Sequence, residues 1–183
     1  MKSVLISIQP KWCELIASGK KTIEVRKTRP KKETPFKCYI YETKGKSKLL
    51  EVMKDGAPLY GDTYHGEPVF IKGSSVGSGK VIGEFVCDEI KVYHAMSILA
   101  CLCEVNGGEV QERLQYQNGT CLSYEEMAQY SKGQDLYGWH ISALKIYDKP
   151  KEFYQFLTPS GTGGVWGNHY LSRPPQSWCY VEG

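Results

Sequence analysis

GKKTIEVRKTRPKK, residues 19–32, is the most charged stretch of the chain and holds one glutamate, Glu24, among seven basic side chains. Its reading decides the fold, because the hydrophobic period changes inside it. Upstream, Pro10 suits a first helical turn, where its missing N–H is harmless. Trp12, Leu15 and Ile16 then recur at i, i+3 and i+4, which gives one apolar face to a short helix that Gly19 closes. From Thr22 the period becomes two: Ile23 and Val25 point one way, and Thr22, Glu24 and Arg26 the other. The polar trio shares a single strand face, with Lys21 at the turn where helix hands over to strand. A carboxylate set between two cations stays ionised and fixes their orientation.

Working outward, Ser3–Ile8 alternates and reads as a buried first strand, with Val4, Ile6 and Ile8 on one side and Leu5 opposite. Lys37–Glu42 and Val81–Tyr93 read as further strands, the second one long and rich in Val, Ile, Phe and Tyr. Residues 51–79 are dense in Gly and Pro and predict a loop-rich excursion with one short strand at Val69–Lys72. Ser123-x-x-Glu126 is a capping box that opens a helix through Tyr130, stopped by Gly133. A further helix is expected over Glu109–Tyr116. Leu136–Tyr147 and Ser177–Val181 complete the strands. About six strands with a few short helices and no βαβ rhythm predict an α+β protein: a partly open β-barrel with short helices packed at its ends. Neither repeat nor linker divides residues 1–183, so one domain is expected.

Composition bounds the function. Hydrophobic content of 41% and charged content of 23% are those of a folded globular chain. The first residues lack a signal-peptide core, and the longest apolar run, Ile98–Cys103, is far below a membrane span, so a cytoplasmic protein with no membrane partner is expected. Seven cysteines (Cys13, Cys38, Cys87, Cys101, Cys103, Cys121 and Cys179) are an odd number without secretory context, which predicts reduced thiols. They form no Cys-x-x-Cys, and the four histidines do not fall at zinc-finger spacing, so neither a metal nor another cofactor is expected. Charge is the informative quantity. Residues 20–37 carry eight cations against Glu24 and Glu33, so the strip is +6 and the rest of the chain, within a total of +3, is −3. A basic strip on a weakly acidic body suits a phosphate-bearing partner; the bland alternative is a solvated loop that serves solubility.

A family resemblance rests on four pieces of sequence. SGKKTIEVRK (18–27) fits the Gly-x-Lys-x-x-Glu-x-Arg motif of ASCH domains, with Gly19, Lys21, Glu24 and Arg26 in the matching places. VLISIQPKWCELIASG (4–19) is similar to their first strand and helix, and YGWHISALKIYDKPKEF (137–153) to their late strand followed by Lys-Pro. RPPQSWCYVE (173–182) resembles the closing strand of longer, phage-associated members. The resemblance implies a PUA-like barrel, related to domains that bind RNA or read modified nucleobases, with a cleft lined by the motif. Segments around 49–79, 95–133 and 158–170 exceed what a minimal domain of this kind needs and are expected as insertions able to reshape or cover that cleft. A compact branch of the family resembles an amidohydrolase of acylated cytosine nucleosides, in which a lysine at the Lys21 position and a threonine at the Glu24 position take part in catalysis. Here glutamate replaces that threonine.

Three readings of the trio follow. In a binding site for RNA or a modified nucleotide or nucleoside, Arg26 holds a phosphate or base edge by paired hydrogen bonds. Lys21 then supplies a point charge, and Glu24 fixes both while accepting from an exocyclic amine. In a hydrolase, acting on modified nucleosides or cleaving RNA, a partly desolvated Lys21 is base or nucleophile and Glu24 orients water. In the structural reading Glu24 merely pairs with two cations on an exposed strand, worth at most about 1 kcal/mol; a separate function class, a non-catalytic protein-interaction module, leaves the strip indifferent to nucleic acid. Tryptophans near a basic strip hold unstacked bases. Trp139, between Gly138 and His140, is the stronger candidate for a cleft wall; Trp12 suits both core and cleft; Trp178 lies in the closing strand, and Trp166 in a glycine-rich loop.

Overall fold

The computed structural model describes residues 2–44, 77–104, 119–159 and 169–182, together with two short strands between 50 and 69. In chain order the elements are β1 (Lys2–Ile8), α1 (Pro10–Ala17), β2 (Ile23–Arg26), β3 (Phe36–Glu42), β4 (Leu50–Glu51), β5 (Pro68–Val69), β6 (Val81–Cys87) and β7 (Ile90–Tyr93). There follow α2 (Ala95–Glu104), α3 (Tyr124–Ser131), β8 (Leu136–His140), β9 (Ser142–Lys151) and β10 (Trp178–Glu182). The helix expected over Glu109–Tyr116, the loop carrying Trp166 and most of the 51–79 excursion lie outside the described residues.

The α+β class expected from the sequence is the class observed, but among the described residues no barrel closes. Five strands form one sheet in the order β10-β1-β3-β6-β9, three form a second in the order β2-β8-β7, and β4 pairs with β5. The reason lies in two segments that read as continuous strands. Val81–Tyr93 breaks at Asp88–Glu89 into β6 and β7, and Leu136–Tyr147 breaks at Ile141 into β8 and β9, so each segment leaves one sheet and enters the other. The two corners are tied together: the His140 amide donates to the Glu89 carbonyl at 2.9 Å, and His140 Nδ1 lies 2.7 Å from Asp88 Oδ1. That pairing gives His140 a structural place at a corner.

β1 is central, antiparallel to β10 and parallel to β3. Every residue from Ser3 to Ile8 is buried, with Val4, Ile6 and Ile8 on one face and Leu5 between Ser3 and Ser7 on the other. One face of the large sheet packs Val4, Ile6, Ile8, Phe36, Cys38 and Phe85 against α1 and the inner face of the small sheet. The other face buries Leu5, Tyr39, Tyr41, Val81 and Val181 beneath Phe156. The outer face of the small sheet, Val25 and Leu136, is covered by Ile98 of α2 and Met127 of α3. β2 therefore runs with Val25 turned to the helices and Glu24 and Arg26 turned inward, between the sheets. Of the expected reduced thiols, Cys13, Cys38, Cys87 and Cys121 are buried, and burial pushes each of them up from its ordinary pKa.

The capping box is present in both directions. Glu126 N–H donates to Ser123 Oγ at 3.1 Å, and Ser123 N–H donates to Glu126 Oε2 at 2.9 Å. Lys132 and Gly133 then adopt positive φ, 52° and 78°, and end α3. Ser123→Ala is expected to lower stability by about 1 kcal/mol in urea unfolding, with the loss concentrated in α3 exchange protection.

Candidate functional site

The turn after α1 presents Lys21 inward because its backbone amide donates to Leu15 O at 2.9 Å, which folds the chain back on the helix. The side chain is 2% exposed, and Nζ donates to the Thr120 carbonyl at 2.5 Å. Three residues on, Glu24 is 5% exposed and lies between the two cations: Oε1 is 3.0 Å from an Arg26 terminal nitrogen and Oε2 is 3.5 Å from Lys21 Nζ. Arg26 reaches across the sheets and donates to the Ser7 carbonyl of β1. Burial lowers the Lys21 pKa from its ordinary 10.5, and the Glu24 carboxylate opposes that shift.

Two buried atoms of this network lack a hydrogen bond. Glu24 Oε2, at ion-pair range from Lys21 but beyond a well-formed hydrogen bond, and Arg26 Nε have no hydrogen-bond partner among the described residues. Both residues line a cleft of about 420 Å³, which also takes in Trp12, Lys21, Gln129 and Tyr130. Lys21 Nζ sits 5.0 Å from the centre of the Trp12 ring, within cation–π range. The indole is thus tied to the charged floor.

The far wall comes from α3 and the loop before it, part of the segment that the sequence marks as an insertion around 95–133. Gly119 O accepts from both the Thr22 and Ile23 amides at 2.9 Å, which brings Thr120 over Lys21. Gly119 has φ +68°, and a Cβ there would meet Thr22 Oγ1 at 2.2 Å, so only glycine fits. Glu126, Gln129 and Tyr130 follow at i, i+3 and i+4 and turn one helical face to the cleft. Ser7 and Gln9, from the end of β1, complete it. The capping box and this spacing were the available sequence signals for α3, but they carried no hint that it would meet Lys21.

Lys21, Glu24, Arg26 and Trp12 are therefore brought together, and two expected cleft tryptophans are not. Trp139 is 0% exposed, held between Phe36 at 5.8 Å and Trp178 at 6.0 Å between ring centres. It pairs with Glu24 across β2 and β8 and so shares its face. That face is the one that closes on the large sheet, and the indole is core instead of cleft wall. Trp178 is half-buried against Trp139 and Tyr180, and its Nε1 donates to Thr28 Oγ1 at 3.0 Å, away from the cleft lining.

The family model for the ASCH domain matches residues 6–155. Among solved structures, the ASCH protein of Zymomonas mobilis is similar in fold at 16% identity, with a TM-score of 0.55 over 98% of this chain and 87% of that one. Two of its point mutants also match. One has a TM-score of 0.56 at 16% identity over 100% of this chain and 91% of its own; the other has 0.54 at 15% over 98% and 88%. No curated protein matches. With the motif strand, the helix before it and the three-stranded sheet inside the matched span, this chain belongs to the ASCH domain family.

Proposed function

We propose that the cleft of this ASCH protein recognises RNA, or a nucleotide or nucleobase derived from it, through Lys21, Glu24, Arg26 and Trp12. ASCH domains are generally RNA-binding and PUA-like, and fold alone does not fix chemistry. The observation that carries the reading is a buried Lys21–Glu24–Arg26 charge network that lines a cleft beside an indole. A base stacked on Trp12 gains about 1–3 kcal/mol. In this reading its exocyclic amine donates to the Glu24 carboxylate, and a phosphate or base edge partners Arg26. Residues 1–183 act in this reading as one ASCH domain of the longer, phage-associated kind, with insertions around 49–79, 95–133 and 158–170. Two observations support it: β10 lies beyond the matched span yet pairs with β1, and α3 walls the cleft. Among the described residues no helix is long and apolar enough to cross a membrane.

One observation favours hydrolysis as a second reading: burial shifts Lys21 toward its neutral form, the form a general base or nucleophile needs. A binding and turnover screen against short RNAs and acylated or otherwise modified nucleosides separates the two. In the binding reading, Lys21→Ala weakens affinity on the order of tenfold and flattens its salt dependence, and no product appears. In the hydrolase reading, product appears with the natural protein and is lost in Lys21→Ala. Ligand binding unaltered in Lys21→Ala, Glu24→Ala and Arg26→Ala together sinks both.

A further inference from the structure

The basic strip continues past the cleft, and its second half is not explained by a mononucleotide. Residues 29–34 line a separate hollow of about 680 Å³ that carries Arg29, Lys31 and Lys32 against Glu33 alone. This loop is held in place at several points. Thr28 Oγ1 accepts from Trp178 Nε1 at 3.0 Å, the Lys31 amide donates to Tyr180 Oη at 3.0 Å, and Pro30 is buried. Lys32 Nζ donates to the Lys2 carbonyl at 2.5 Å, which spends one of its three protons and leaves two. Arg29 and Lys31 are exposed. The loop that carries these cations is thus held at the rim of the hollow.

The path between the two concavities is also basic and short. Lys27 Nζ sits 5.0 Å from the ring centre of Tyr130, which lines the cleft, so it marks the rim. Arg26 pairs with Tyr137 across β2 and β8, which places both side chains on one sheet face. The Arg29 guanidinium lies 5.7 Å from that same Tyr137 ring. Arg26 in the cleft and Arg29 in the hollow are therefore three residues apart in sequence and neighbours of one aromatic ring. Three residues span at most about 10 Å, roughly three stacked nucleotides at about 3.4 Å of rise each.

We infer that the ligand is a single-stranded polynucleotide, with one base in the cleft and the phosphates of flanking nucleotides carried past Lys27 to Arg29 and Lys31 at the second hollow. This rests on the nucleotide reading of the cleft and narrows it from nucleoside to strand. Arg29, within cation–π range of Tyr137, offers its fork to phosphate oxygens, and Lys31 adds a point charge.

The test is a length series of oligouridylates, from the mononucleotide to about eight nucleotides, titrated into the natural protein, Arg29→Ala/Lys31→Ala and Trp12→Ala. In the natural protein, affinity climbs over the first few nucleotides and then levels. In Arg29→Ala/Lys31→Ala the climb is lost, oligomer affinity falls on the order of tenfold, the slope of log K against log salt drops by about 1.4, and mononucleotide affinity is unchanged. Circular dichroism checks that the double variant folds; Arg29→Gln/Lys31→Gln, which keeps the stems, repeats the result if it does not. A flat length series with the mononucleotide still bound overturns the inference and leaves the cleft reading standing. Strand binding that depends on Arg29 and Lys31 but ignores Trp12 overturns the cleft reading and keeps the basic track as a phosphate site. Binding of neither mononucleotide nor strand overturns both.

Discussion

Glu24→Ala is expected to lower unfolding stability by about 3–5 kcal/mol, because it leaves two buried cations facing each other with no carboxylate between them. Lys21 is 2% exposed and the Arg26 side chain 11%, so neither can turn to water without opening the cleft floor. For a chain of this size the loss corresponds to a fall in Tm of roughly 6–20 °C. Lys21→Met in the Glu24→Ala background removes one of the two stranded charges, and a partial return of Tm is the expected sign of that origin. A pH series supplies a second check. Lys21 has a lower pKa folded than unfolded, chiefly from burial, so the unfolded chain binds more protons between the lowered value and 10.5. Stability from this residue therefore rises with pH through that window and is flat below it. Removing Glu24, which opposes the shift, lowers the folded pKa further and widens the window at its lower end. Equal pH profiles for the natural protein and Glu24→Ala would mean that the carboxylate does not govern Lys21.

Trp139→Ala is expected to destabilise the protein by about 3–5 kcal/mol, the usual result of emptying a packed aromatic site. The indole is fully enclosed, and Phe36 and Trp178 cannot both collapse on the gap. Trp12→Ala, on the cleft lining, is expected to change stability far less and to weaken ligand binding by about 1–3 kcal/mol, the loss of one base stack. Urea unfolding and a binding isotherm on each variant give the crossed pattern. If Trp139→Ala folded normally and lost binding while Trp12→Ala did neither, the placement of these two rings would be wrong.

These two tryptophans also show what was legible in the sequence. The period change at Thr22 predicted that Glu24 and Arg26 share a face, and they do; register across β2 and β8 puts Trp139 on that face as well. What alternation cannot give is depth. A strand lying over another sheet has one end of a face sealed and the other open, and Glu24, Arg26 and Trp139 divide along that gradient. Trp12 reached the cleft although Ile16, one turn on, is core, because the apolar face of α1 is wider than the surface it buries. The corners at Asp88–Glu89 and Ile141 were invisible for a related reason. Polar residues recur along both segments, Glu84, Asp88, Glu89 and Lys91 in one and His140, Ser142 and Lys145 in the other, so no single position in the pattern marks where a strand changes sheets. The contribution of α3 depended on contacts about a hundred residues apart, Lys21 with Thr120, which local periodicity does not encode.

The most direct test of a cleft built on Trp12 and the Lys21–Glu24–Arg26 network is the indole region of a ¹H–¹⁵N spectrum during titration with a short single-stranded RNA. The Trp12 Nε1–H resonance is expected to move with saturating ligand, while that of the enclosed Trp139 stays in place, and Arg26→Ala shifts the midpoint to higher concentration. A Trp12 resonance that stays still while RNA binds, with the same midpoint in Arg26→Ala, would contradict the account.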